Sequence, residues 1–286
     1  VLPFLRLLRP HQWVKNGFVV APLFFTPEIL SLASLQMVGL GVLAFCLMAS
    51  AVYILNDYMD READRLHPTK CYRPLAAGTV AEPLALATMV LLAMAALGLG
   101  WWLSIGFFKI LLLYVGVNLL YSYVLKQVSI VDVMLVALGY VLRIYAGAEL
   151  IGKSASVWII VCTGLVSLFI ALAKRRDDIV KNLASNHRQS LKGYTLPFLD
   201  TAIGMMLAGL LISYLIYTTE PEAMQHYGTN KLYLTTPFVI MGVLRYLQIA
   251  LVEERSGAPT NIVLTDKFLI GCVVAWIATF GVLIYG

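Results

Sequence analysis

Apolar residues run along this chain in long unbroken stretches, with neither the alternation of a strand nor the one-sided stripe of a water-facing helix. The stretches lie at about 13–30, 36–56, 83–103, 105–124, 130–149, 155–173, 197–218, 232–252 and 266–285. Each approaches the ~20 residues that a helix needs to cross a bilayer, so nine membrane helices are predicted. A membrane barrel would show alternating segments of ~10 residues, and a stretch such as 84–97 alternates nowhere. The expected fold is all-α and integral to the membrane: a single domain over 1–286, a nine-transmembrane-helix bundle with a cytoplasm-facing polar cavity.

Composition agrees. Of 286 residues, 60% are hydrophobic and 13% charged, with a mean hydropathy of +0.83. Soluble domains carry roughly 25% charged residues, so a soluble enzyme is excluded. Cys46, Cys71, Cys162 and Cys272 are scattered without C-x-x-C spacing and are expected to be free thiols. The basic start runs into apolar sequence with no small-residue cleavage site, so no cleavable signal is expected there. His11, His67, His187 and His226 share no metal-ligand spacing and read as structural or interfacial. The Lys and Arg side chains divide unevenly between alternate connections. Fifteen lie on the side of the N-terminus and the long connections 57–82 and 174–196, against Lys109, Lys153 and Lys231 on the other. By the positive-inside rule the N-terminus and both long connections are cytoplasmic and the C-terminus is outside, in a multi-pass plasma-membrane protein.

At the end of the second stretch the chain reads N-D-Y-M-D-R-E-A-D. The spacing puts Asn56, Asp57, Asp60 and Asp64 on one helical face. Crowded carboxylates repel unless a cation lies between them, and hard oxygens of this kind suit Mg²⁺, whose remaining positions substrate phosphates fill. The competing reading is a solvated helix end neutralised by Arg61, Arg65, Lys70 and Arg73. Against it, the apolar run leads directly into Asp57, at a depth where unpaired acids are costly. The metal reading, with Asp57, Asp60 and Asp64 as catalytic ligands, is preferred.

This N-D-x-x-D-x-x-x-D element, followed by R-P-L-A-A-G at 73–78, resembles the UbiA superfamily of intramembrane prenyltransferases. Tyr121, Ser122 and Lys126 resemble its Y-S-x-x-x-K element, and nine helices are its usual number. The resemblance implies that Asn56, Arg73, Tyr121 and Lys126 meet a diphosphate; otherwise Tyr121 and Lys126 are interfacial anchors. Aromatic prenyltransferases of the superfamily carry a second motif, roughly D-x-x-x-D, in the sixth connection for a second Mg²⁺. Here that position reads A-K-R-R-D-D-I-V-K. Lys174, Arg175, Arg176, Lys181, Arg188 and Lys192 outnumber Asp177 and Asp178 over 174–192. Arginine forks and lysine ammonium groups bind phosphate directly, so extra anions are implied, although orientation alone also calls for a basic connection.

The opening R-P-H-Q-W-V-K-N at 9–16 resembles one branch of that superfamily, the decaprenyl-phosphate phosphoribosyltransferases of actinobacterial cell-wall synthesis. The branch implies transfer of 5-phosphoribosyl from phosphoribosyl pyrophosphate (PRPP) to a polyprenyl phosphate, with Mg²⁺ as cofactor and the bilayer as partner, for arabinogalactan precursors. No nucleic-acid partner is expected, and a homo-oligomer is compatible with the sequence. Candidate substrate-binding residues are Lys15, Asn16, Asn56, Arg73, Tyr121, Lys126, Asp132, Arg143, Lys174, Arg175, Arg176 and Asp178. Arg143, deep in an apolar run, either binds phosphate or pairs with Asp132 or Glu149; Asp132 is a candidate for the ribose hydroxyls or the metal. Lys15 and Asn16 either contact phosphate or ribose or only set topology. Gly147 and Ala148 read as packing residues. Rival readings are an aromatic prenyltransferase using a prenyl diphosphate and a transporter or lipid-binding protein.

Overall fold

A computed structural model describes residues 2–66, 70–181 and 189–286. His67, His187 and Arg188 lie outside the described residues. Within them every regular element is helical. Eight helices are long and apolar enough to cross a membrane: α1 (Leu32–Met59), α2 (Glu82–Leu103), α3 (Ile105–Tyr123), α4 (Val131–Leu150), α5 (Val157–Val180), α6 (Leu196–Thr219), α7 (Thr236–Leu251), whose span Leu232–Leu251 includes the 3-10 turn that leads into it, and α8 (Lys267–Tyr285). Their starts carry local signals. Ser31 accepts from the Ser34 N–H, Ser104 from Gly106, Thr195 from Phe198 and Asp266 from Leu269, each satisfying an amide that the first turn leaves unpaired. Large apolar side chains such as Leu32, Trp101, Trp102 and Val282 remain exposed, as expected where lipid replaces water.

The expected first helix differs. Residues 13–30 do not form one α-helix but a 3-10 helix at Pro10–Val19, a short α-helix at Ala21–Phe24 and a 3-10 turn at Pro27–Ile29. Pro22 and Pro27 cannot donate to a preceding turn, so a continuous α-helix is broken at each. This segment nevertheless runs antiparallel along α1. Arg9 reaches Asp57, Trp13 reaches Ser50 and Asn16 reaches Cys46, so its partners descend α1 as its own numbers rise. Helix α5 also departs from expectation, continuing to Val180, about two turns beyond the apolar run. No breaker follows residue 173, and Lys181 pairs with Asp177 one turn back. Lys174, Arg175, Arg176, Asp177 and Asp178 are therefore helical residues rather than part of a connection.

The chain forms two compact units. The first comprises Val1–Leu125 and Leu142–Ala155. In it α1 packs on α2, and α2 on α3, around Phe45, which meets Phe107 edge-on at 5.8 Å and Tyr114 at 5.3 Å. Leu7, Ile54, Leu75, Val80 and Ala85 make a separate buried cluster near the end of α1. It ties three stretches of chain together immediately beside Arg9, Asp57 and Arg73. The second unit, Lys126–Val141 and Ser156–Gly286, packs α6 on α5 and α7 on α8, with Phe169 against Tyr246 at 4.9 Å in its core.

Gly147 in α4 shows why a small residue is required. A Cβ there would overlap the Val19 carbonyl oxygen and stand 3.1 Å from Pro22 Cδ, so the broken first segment and α4 touch backbone to backbone. Gly147→Val is expected to destabilise the detergent-solubilised protein by about 2 kcal/mol, read as a lower thermal midpoint. An unchanged midpoint would remove this packing assignment.

Candidate active site

The acid stretch straddles a turn. Helix α1 ends at Met59, Asp60 turns, and Arg61–Arg65 forms a short second helix. The bonds Asp60 N–H to the Asn56 carbonyl (2.9 Å) and Asp64 N–H to the Asp60 carbonyl (2.8 Å) preserve one-turn spacing, and Asp57 and Asp64 reach a common partner. That partner is Arg73, whose Nη1 donates to Asp57 Oδ1 at 3.1 Å and to Asp64 Oδ2 at 2.6 Å. Arg9 donates a second guanidinium bond to Asp57 Oδ1, at 2.5 Å. Both acids are buried, at 2% and 3% exposure, so this is no solvated helix end. Arg61 and Arg65 turn instead to Glu62 and Glu82.

Arg9 was missed from sequence as a site residue. Its backbone is left-handed (φ 52°, ψ 56°) immediately before Pro10, a conformation that costs about 1–3 kcal/mol in a non-glycine residue. It is held from both sides: Ser50 Oγ donates to the Leu8 carbonyl and accepts from the Trp13 indole. The guanidinium also lies over the Tyr53 ring, 5.2 Å from its centroid.

Asn56 Oδ1 accepts from Ser122 Oγ, which also bonds the Asn118 carbonyl. Ser122 therefore braces Asn56, while its neighbour Tyr121 is half-buried. Asp60 is half-buried too. Lys126 lies in the 3-10 turn Leu125–Gln127 and is the first residue of the second unit. Asn16 is fully buried, donating to Cys46 Sγ (3.2 Å) and accepting from Arg143 Nε (2.8 Å). Arg143 also donates to the Tyr114 hydroxyl (3.2 Å) and lies over the rings of Phe45 and Tyr114. Neutral acceptors and aromatic faces thus surround a buried guanidinium. Glu149, weighed as its partner, accepts from Ser104. Lys15, half-buried, has no ion-pair partner among the described residues.

The second unit holds the basic stretch. Asp132, fully buried in the first turn of α4, accepts from Arg175 Nε (2.7 Å), the Tyr194 hydroxyl (2.7 Å) and Ser190 Oγ (3.2 Å). Tyr194 in turn accepts from the Ile130 N–H at 2.6 Å, and Ile130 is held at φ 69°. Arg176 pairs with Asp200 (2.6 Å) and donates to the Ala250 carbonyl. The positive excess counted along 174–192 is therefore offset by acids from α4 and α6. Asp178 stands 3.8 Å from Arg175, and Lys181 Nζ lies 2.8 Å from Asp177 Oδ2. Lys174 and Lys192 are exposed. Further along, hydrogen bonds from Arg255 to Glu253 and from Arg245 to Asp266 hold both carboxylates below their usual range. Tyr194, Ser190 and Asp200 carried no sequence signal, since each acts through a partner far away in the chain.

Can these residues hold a divalent ion? Among the described residues no group of three or more His, Cys, Asp or Glu side chains converges on one point, and Arg73 bridges the two buried acids. Yet Asp57 Oδ2 is buried without any hydrogen-bond partner, a costly state for a carboxylate oxygen. Magnesium needs only one or two carboxylates when substrate phosphates complete its shell, so the donor set fits.

The UbiA prenyltransferase family matches residues 19–269 of the chain. The chain belongs to that family. The curated decaprenyl-phosphate phosphoribosyltransferase of Mycolicibacterium smegmatis is 32% identical to it, over 98% of this chain and 92% of that protein. The enzyme of the same name from Corynebacterium glutamicum is also 32% identical, over 98% and 86%. Among solved structures, a UbiA homolog from Archaeoglobus fulgidus bound to GPP and Mg²⁺ aligns with a TM-score of 0.74 and 20% identity, covering 99% of this chain and 100% of that one. At that identity the likeness speaks for the UbiA fold alone.

Removing Asp132 strands Arg175. Asp132→Ala is expected to cost about 3 kcal/mol or more, as when one partner of a buried ion pair is deleted. Asp178→Ala, a longer and partly exposed pairing, should cost less than about 1 kcal/mol. Unfolding of the purified proteins in detergent would measure both; equal costs would sink the distinction.

Proposed function

We propose that this protein transfers the 5-phosphoribosyl group of PRPP to a polyprenyl phosphate, decaprenyl phosphate being the acceptor in its relatives' name, and releases pyrophosphate. The product would be a lipid-linked precursor for arabinan synthesis in the cell wall. The observation that carries the substrate assignment is the near full-length similarity to relatives of that name. The buried pair Asp57 and Asp64, with two guanidinium groups against it, carries the chemistry. The basic connections support a cytoplasmic position for these groups, where a water-soluble donor is found.

In the reaction an acceptor phosphate oxygen forms a bond to ribose C1 while the bond from C1 to the pyrophosphate oxygen breaks, the electron pair leaving with pyrophosphate. The transition state is oxocarbenium-like. A phosphate monoester is already ionised at neutral pH, so no general base is required and its oxygen needs orientation and charge shielding instead. Asp57 and Asp64, of the three acids the spacing singles out with Asp60, would hold Mg²⁺, which when bound supplies positive charge to the departing pyrophosphate. Arg73 and Arg9 are placed to neutralise the same leaving group, and Asn56, braced by Ser122, is placed to orient it. Arg143, positioned by Asn16, offers a buried guanidinium for a phosphate, with Lys15 and Tyr121 as further contacts. In the second unit Lys126, Lys174, Arg175, Arg176 and Asp178 remain candidates for substrate phosphates and ribose, with Arg175 and Arg176 already holding carboxylates. The aromatic-prenyltransferase alternative is weakened by the basic residues that surround Asp177 and Asp178, with Lys181 Nζ 2.8 Å from Asp177 Oδ2 and Arg175 3.8 Å from Asp178.

Purified protein given PRPP, a polyprenyl phosphate and Mg²⁺ should release pyrophosphate and form lipid-linked phosphoribose, followed by radiolabel in the lipid phase. Asp57→Ala should lower turnover by at least about a hundredfold while the protein remains folded. Product from a prenyl diphosphate and an aromatic acceptor, and none from PRPP, would reject the proposal.

A further inference from the structure

The buried acids at the end of α1 are already neutralised, and by groups that also bind phosphate. Arg73 bridges Asp57 and Asp64, and Arg9 shares Asp57 Oδ1. The acids are fixed: their side chains are 2% and 4% exposed, whereas those of Arg73 and Arg9 are 27% and 20% exposed. The carboxylates thus form the floor and the guanidinium groups the mouth. The Arg73 backbone is anchored by its bond to the Lys70 carbonyl (2.9 Å) and by the buried Leu75 beside it, so its head group can move without disturbing the fold. Between the two acids, Asp57 Oδ2 is the oxygen buried without a hydrogen-bond partner, one oxygen where a divalent ion would take several.

We propose that Arg73, assisted by Arg9, is a resident counter-cation that occupies the carboxylate pair until metal and diphosphate arrive together. The inference rests on the reading above that these two ligands meet at Asp57 and Asp64. A divalent ion entering alone must displace a guanidinium from Asp64, which leaves that guanidinium without an anion and sets two positive species side by side. When diphosphate is present the displaced head group turns from carboxylate to phosphate oxygens, so its charge stays paired. The metal site and the diphosphate site are therefore coupled, each ligand strengthening the other by the same factor. The protein resists loading with metal alone, and Arg73 is a positioning residue for the acids in one state and a ligand of the leaving group in the other.

The test is calorimetric titration of the full-length protein in detergent with MgCl₂, with and without inorganic pyrophosphate, for wild type and Arg73→Gln. Chelation of Mg²⁺ by pyrophosphate in solution is common to both proteins and cancels in the comparison. Wild type should bind Mg²⁺ weakly alone and about tenfold or more tightly with pyrophosphate, within the usual range of coupling between sites. Arg73→Gln should move the two affinities in opposite directions, binding Mg²⁺ alone more tightly than wild type and magnesium pyrophosphate less tightly. A variant that binds Mg²⁺ alone no better than wild type overturns the proposal. If wild type takes up Mg²⁺ under neither condition, the metal assignment itself is lost. Arg9→Gln removes one of the two guanidinium groups on Asp57 Oδ1 and leaves the Asp57–Asp64 bridge; should Arg73→Gln fail to fold, Arg9→Gln is required to shift the two affinities in the same opposite directions by a smaller factor, and the absence of those shifts decides against the proposal.

Discussion

Two carboxylates shut away from water must be given positive charge, and the inner architecture of the first unit follows from that need. Asp57 and Asp64 bring about two units of negative charge to a place where their ionised forms are poorly solvated. The fold answers with guanidinium groups from two remote stretches of chain, one 48 residues before Asp57 and one 9 after Asp64. Delivering the first requires a left-handed residue before a proline and an N-terminal segment that is 3-10 rather than α over most of its length. Delivering the second requires the turn at 73–78, fastened by Leu75 in the small apolar cluster with Leu7 and Ile54. Local irregularity and local packing at this end of the unit serve one electrostatic balance.

The second unit solves a similar problem with a different outcome. Asp132 is as deeply buried as Asp57, but Arg175, Tyr194 and Ser190 together occupy both of its oxygens, and the strained Ile130 backbone is part of the same fastening. A fully satisfied network of this kind rigidifies its surroundings. Asp57 keeps an oxygen without a partner, and its cations sit toward the exposed side. The contrast separates an acid that locks structure from one that can exchange its partners.

Much of this was open to inspection in the chain itself. The spacing of Asn56, Asp57, Asp60 and Asp64 singled out the acidic element because acids of that density beside an apolar run have few stable alternatives, and the structure brings Asp57 and Asp64 to one arginine. The charge count over 174–192 was a poorer guide. It treated the basic residues as a local surplus, whereas Arg175 and Arg176 are neutralised by Asp132 and Asp200, 43 and 24 residues away. Arg9 was visible as one basic residue among fifteen and as the first residue of the 9–16 element, and nothing in its neighbours announces a contact with Asp57. Tyr194 was invisible for the same reason.

By itself, then, the sequence determined the membrane class, the helical content, the positions of most long helices and the acidic element, because each depends on hydrophobicity, backbone sterics and charge over a few turns. Proline spacing could have announced the broken first segment, but its apolarity masked the break. Which cation faces which acid and which carboxylate oxygens are left bare were decided only by tertiary structure. Ion pairs form between whatever charges the packing of distant helices brings within about 3–4 Å, and no local pattern encodes that distance.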